Sequence, residues 1–554
     1  MGQWEGNQCR NPKGPTHHHP PLPHSTHPTP LSLSPSKSPK HSPTHLPPPS
    51  STMAGRTPLT NAGAATEADA YEPYVAMKQL RAYICTELLP AFPALDTRRL
   101  TALPSSSGID RISLLPDALL RNIVSRLPVT DAARTSVLAS RWRRVWLSVP
   151  LALIDEYLRP SGNPPTVTAA VSQILDAHPG PFRCVHLVRS HMDACQPQLA
   201  SWLELFATKG VQELVLVNRP WPLEVPLPAT LFSVTTLTRL YIGIWKFPDV
   251  ARLPRGTSFP CLRELGVCTI LTKDGDIEAL VARSPVLEIL NIQGSNKGLR
   301  LRLVSQSLWC VQICGSVVED IAVVKAPCLD RLIVEHPRDS ARGLCTRVRI
   351  GDCPKLHALG ILKAGNHILE IQGTVIVAGI KPRPSTMVMN VKILSLNVCF
   401  GDHDDIKMLT AFLRCFPNLE TLHIMSAKGV YQAGNVRLNL RFWESAKPTK
   451  SVEFSIKVIS FCEFRGELGE AAFLKFFFRS ARALESAMIT MRSGSFSTDE
   501  LSSRVKQVYQ KMVSKSCKMI VLGSDGPEGG RPWSFKRGTD YCFKDPFSAV
   551  EWVG

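Results

Sequence analysis

A phrase of the form Leu-x-x-Leu-x-aliphatic, usually led by Pro-x, returns from about residue 184 onward and leaves few folds open. It reads clearly over Leu237–Ile242, Leu262–Val267, Leu287–Ile292, Leu329–Val334, Leu356–Ile361 and Leu419–Ile424. Weaker copies lie at Val211–Val217 and Val391–Leu396. The first three steps measure 25 or 26 residues, inside the ~20–29 residue period of short stacked repeats. Alternation within the phrase turns every second strand residue inward, and the earlier Leu packs where the chain enters the strand. One such unit cannot bury its own face, whereas a stack of them forms a continuous core. Leucines scattered through an ordinary domain do not explain in-phase copies that share a Pro-x-Leu lead.

These copies predict an α/β solenoid of the leucine-rich-repeat kind over residues 184–450, with a short parallel sheet along one side. The later steps are irregular. At 554 residues the chain exceeds one ordinary core, which suits a stack that grows by addition.

Residues 110–150 carry a different pattern, three short helices. Pro116 suits the first turn of the first helix, Asp117 favours its dipole, and Pro128 stops it. Leu119, Leu120, Ile123, Val124 and Leu127 follow helical spacing. Thr130 and Asp131 open a second helix that runs through Val137 and Leu138, and Ser140 is placed to cap the third, on which Trp142, Val145, Trp146 and Val149 form a stripe. About forty residues with this much apolar surface cannot hide it all in a core of their own. The surplus fits either a docking face for a partner or padding at the start of the solenoid, and the pattern alone leaves both open.

The flanks differ. Residues 1–50 hold 13 of the 45 prolines and 7 of the 15 histidines, so 1–70 is expected to be a disordered tail. His17, His18 and His19 read as part of that solvated tract, because no fixed geometry would hold them as ligands. Met53 opens a less biased stretch and is a second candidate translation start. A short helix near Tyr74–Leu89 and a Pro-marked linker fill 71–109.

Lys and Arg outnumber Asp and Glu by 64 to 46, but they are spread along the chain. That balance favours acidic partners in general and picks out none. Arg141, Arg143 and Arg144 are expected on a solvated helix side, and without an aromatic platform no nucleic-acid partner is expected. None of the sixteen cysteines forms a Cys-x-x-Cys pair, and most sit beside apolar runs, as free buried thiols do. No membrane span is expected, because no uncharged apolar run approaches the required ~18 residues. The expected site of action is the nucleus, the cytoplasm or both.

Enzyme signatures are missing: no phosphate-binding Gly-rich loop, no His-Glu-x-x-His, no Gly-x-Ser-x-Gly. Asp402–Asp405 lacks the spaced ligands of a calcium loop. No catalytic residue, metal or cofactor is expected.

The run Asp110–Asp117, then Leu119, Leu120 and Ile123, then Leu127, Pro128 and Asp131, then Arg134–Trp142 and Trp146 resembles the plant F-box. Arg141 stands where Lys usually precedes the Trp, and the charge is kept. Residues 451–491, with Glu470–Phe478 and Ala483–Ile489, resemble the FBD region of such proteins, and 492–554 forms a C-terminal extension similar in its ending to grass members. The resemblance implies an F-box at 110–150 docking on a Skp-type adaptor, and through it a cullin scaffold, by Leu115, Pro116, Leu119, Leu120, Ile123, Leu127, Pro128, Trp142 and Trp146. The repeats would then bind an unidentified protein to be ubiquitinated. The rival reading is a scaffold that works outside any ligase and binds an acidic partner.

Overall fold

The computed structural model describes residues 112–158, 164–189, 192, 196–218, 225–250, 253–254, 256–295, 297–335, 345–428, 433–492, 512–523 and 538–548. All of them fall in one compact unit spanning 65–554. The tail expected over 1–70 and the helix and linker over 71–109 lie outside the described residues.

Three helices open the described chain: α1 (Asp117–Val124), α2 (Val129–Thr135) and α3 (Ser140–Ser148). Pro116 and Pro128 stand at the N-caps of α1 and α2, their φ angles of −58° and −51° already suited to helix entry. Acidic Asp117 and Asp131 then lie in the positive first turns. Ser140 does not cap α3. It is the first helical residue, Ala139 holds the cap position, and no side chain bonds there.

Strands β1 (Leu151–Ile154), β2 (Phe182–Leu187), β3 (Glu213–Val217), β4 (Arg239–Gly243), β5 (Glu264–Cys268) and β6 (Ile289–Gln293) lie side by side, all parallel. Helices α4 (Pro164–Ala177), α5 (Gln196–Thr208) and α6 (Asp276–Ala282) provide crossovers. The chain then alternates between two sheets. Strands β7 (Leu299–Val304), β9 (Val318–Lys325), β11 (Thr346–Asp352), β13 (His367–Ile371) and β14 (Thr374–Val375) form a second sheet. Between them, β8 (Cys310–Cys314), β10 (Arg331–Glu335) and β12 (Ala358–Lys363) extend the first. It is completed by β15 (Ile393–Val398), β16 (Thr421–Ser426), β17 (Val458–Phe464), β18 (Ser486–Met491) and β19 (Lys518–Leu522), reaching 14 strands. Helices α7 (His403–Cys415), α8 (Ala433–Ser445) and α9 (Leu468–Ser480) cover this last part.

Every expected copy of the repeat forms a strand in register. Leu214, Leu240, Leu265, Leu290, Val311, Leu332, Leu359, Leu394 and Leu422 pair one onto the next across the sheet. They belong to one core cluster that runs from Leu120 to Cys517. The second sheet was not anticipated. Its β7, Leu-Arg-Leu-Arg-Leu-Val, alternates buried and exposed side chains, the period-two signature of a strand with one wet face.

The repeat was expected to begin at residue 184, and here the structure differs. β1 already starts at Leu151, and Pro128 bridges to Ala152. This strand has no Leu-x-x-Leu lead, because α3 feeds it directly, so no copy of the phrase marks it. Val129, Ala132, Trp142 and Val145 share the solenoid's core rather than making a separate one. Among the described residues no helix is long and apolar enough to cross a membrane.

Candidate functional site

Seven of the 21 exposed large apolar side chains among the described residues lie between Ile112 and Leu147. That concentration makes the helical segment a candidate docking surface. Helix α1 divides its apolar residues between two faces. Leu120 and Val124, four apart, are fully buried, whereas Leu119 and Ile123 stand 51% and 41% exposed. Pro116 is exposed, and Leu115, Leu127 and Pro128 are half-buried, the two leucines packing against the core.

The start of α1 is stapled from α3. Arg141 donates to the carbonyls of Ser113 and Leu115 (2.6 Å to the latter), and its Nε donates to Asp117 Oδ1 at 2.7 Å. Trp142 Nε1 donates to Ser113 Oγ at 2.9 Å. Arg141 is therefore not the solvated flank expected of it: a planar guanidinium satisfies several acceptors at once and fixes the approach to α1.

Several of the residues expected at the docking contact do not face outward: besides the half-buried Leu115 and Leu127, three more turn inward. Leu120 and Trp142 are buried, at 0% and 4% exposure, and Trp146 is half-buried with its ring 4.8 Å from that of His178, just after α4. The stripe on α3 braces the segment against the first repeat, because β1 supplies the core that the segment lacks alone. Val137 and Leu138, expected within the second helix, lie past its end at Thr135, in the turn before α3, and are exposed by 80% and 65%.

The second surface is the face of the large sheet turned away from the leucine core. At its N-terminal end Glu213, Arg239 and Glu264 form an ion-pair chain, with Arg239 Nε 2.8 Å from Glu264 and Arg183 3.3 Å from Glu213. Tyr241 Oη donates to Glu264, Asn291 donates to Tyr241 Oη at 2.8 Å, and Gln312 donates to Asn291 at 2.9 Å. Gly266 permits this row, because a Cβ there would meet the Tyr241 ring. Cys184, His186 and Glu213 lie close enough to share a cation, with candidate ligand atoms within 4.8 Å of one another. The donor set is a poor fit. Burial pushes the Cys184 thiol up and, with Arg239 and Arg183 nearby, holds His186 down at about 3. Glu213 is committed to the two guanidiniums, whose charge opposes a metal ion.

Three family models match in chain order. The F-box domain covers 112–153, the LRR repeats of the FBD-associated F-box protein At5g56370 cover 199–424, and the FBD covers 444–489. The chain is 28% identical over 334 residues to the F-box/FBD/LRR-repeat protein At1g13570 of Arabidopsis thaliana, which covers 57% of this chain and 76% of that one. F-box/LRR-repeat protein 13 of the same plant is 31% identical over 259 residues, 44% of this chain and 55% of its own. The putative F-box/FBD/LRR-repeat protein At5g25850 is 31% identical over 205 residues, 36% of this chain and 40% of its own.

Proposed function

The chain belongs to the F-box proteins that carry leucine-rich repeats and an FBD region, and from that premise we propose that it recruits targets to a Skp-cullin-F-box ubiquitin ligase. In this reading the 112–148 segment docks on a Skp-type adaptor, the adaptor joins it to a cullin, and the repeats hold the protein to be ubiquitinated. The chain supplies no catalytic group. It sets which protein is brought near the ubiquitin-carrying enzyme, in the nucleus, the cytoplasm or both.

The observation that carries the proposal is the exposure of Leu119, Ile123, Val137 and Leu138 on a segment whose buried residues join the solenoid core. A single continuous core ties the docking end to the repeats, so a target held by the strands stays at a set position relative to the adaptor. An exposed apolar face of this kind gains most when a partner removes it from water.

The test is reconstitution. The purified chain, a Skp-type adaptor and a cullin should co-elute, and a Val137→Asp, Leu138→Asp variant should leave the complex while keeping its circular dichroism. A folded wild-type chain that never co-elutes with the adaptor overturns the ligase reading and favours a free-standing interaction scaffold.

A further inference from the structure

We propose that the sheet face around Trp309, Arg331 and His423 is a docking site for a short turn-forming peptide, which the chain's own residues 538–548 fill in cis. The peptide class has an aromatic residue four positions before an Asp, and a Phe two positions after it, as in Tyr541, Asp545 and Phe547. The inference rests on the reading that the repeats hold the target, and it gives that target a recognition pattern.

Arg331 of β10 reads backbone. Its Nη1 donates to the carbonyls of Gly538 at 2.8 Å and Asp540 at 3.3 Å, and its Nη2 donates to that of Phe543 at 2.5 Å. The guanidinium lies 4.6 Å from the Trp309 ring centroid, which holds its plane toward the segment. Main-chain carbonyls are common to all peptides, so this arginine is not fitted to one sequence. Selectivity comes from two flanking contacts. Tyr541 stacks on Trp309 with centroids 4.0 Å apart, and Asp545 Oδ2 sits 2.8 Å from His423 Nε2 with the Phe547 ring 5.7 Å from that imidazole. At the near end Gly538 approaches Gln312 so closely that a Cβ would collide with the amide.

The segment sits on the sheet as a ligand does. It forms no strand and adds no ladder to the sheet. None of its residues enters the core cluster, and Tyr541, Cys542 and Lys544 remain exposed. It is held by side chains that reach up from β8, β10 and β16, contacts that another peptide of the same pattern and turn geometry can take over. Being part of the same chain raises its local concentration above that of a free peptide, so it masks the site from weak competitors.

The probe is a labelled synthetic peptide with the sequence of residues 538–548, offered to the full chain and to a full-length variant carrying Gly538→Leu, Tyr541→Ala and Asp545→Lys. The variant should bind the peptide at least tenfold tighter than wild type, and an Asp545→Lys peptide should lose at least tenfold of that. Equal or absent binding by a folded variant overturns the proposal. If the variant does not fold, hydrogen exchange on the wild-type chain decides. Excess peptide should speed exchange of the 538–548 amides several-fold, and an unchanged rate overturns the site. Adaptor co-elution, measured in parallel, reports on the ligase reading alone.

Discussion

Replacing Leu119 and Ile123 together by Ala perturbs the docking face without opening the core, because both side chains are exposed while their neighbours Leu120 and Val124 are buried. Fully burying a Leu or Ile is worth ~1.5–3 kcal/mol. With 51% and 41% of the two residues still open to water, a covering partner gains roughly 1 kcal/mol from each. The double substitution should therefore weaken adaptor binding by ~1.5–2.5 kcal/mol, about ten- to seventyfold. Stability should move little, since exposed substitutions usually stay within about 0.5 kcal/mol and Ala favours the helix. Leu120→Ala is the control with the opposite signature. It empties a fully buried site in the shared core and should cost ~2–5 kcal/mol of stability. Adaptor titration by calorimetry and urea unfolding, run on all three proteins, separate the two effects. Unchanged adaptor affinity in the folded double variant would refute docking through this face.

Glu470 is fully buried and accepts from Ser426 Oγ (2.6 Å) and the N–H groups of Arg465 and Glu467 (3.0 and 2.9 Å). Glu470→Ala strands these donors and should cost ~2–4 kcal/mol in urea unfolding, and a loss below about 1 kcal/mol would contradict that role. Burial pushes Asp405 up to about 6 from 3.8, against the pull of the Cys399 N–H it accepts. A raised folded value means stability is fully present below about 4 and is lost as pH rises through about 6. Asp405→Asn should therefore be more stable than wild type by ~1–2 kcal/mol at pH 7.5, after discounting for partial exposure, and the gap should close by pH 4; a gap that persists at pH 4 would contradict this origin. Cutting the chain after Gly294 parts Leu290 from its register partner Val311 and should give two insoluble halves, whereas two soluble, folded halves would argue against one continuous core.

The strand positions of the solenoid were legible because each repeat is a local pattern copied in phase. Leu-x-x-Leu-x-aliphatic states which residues of β3 to β6, β10, β12, β15 and β16 turn inward, whatever lies far away in the chain. The helices at 117–148 were legible for the same reason, from spacing and the prolines that bound them. Side-chain destination was not. Leu119 and Leu120 are the same residue type at adjacent positions, and only the packing of α1 on α3 and of α2 on β1 turns one out and one in. Trp142 and Trp146 read as surplus surface in a short segment, yet β1 and the first repeat give them a core. The meeting of Asp545 with His423 spans 122 positions of sequence. No local periodicity encodes such a contact, because it depends on where the stacked strands place their outward side chains, and that is fixed only when the whole stack has formed.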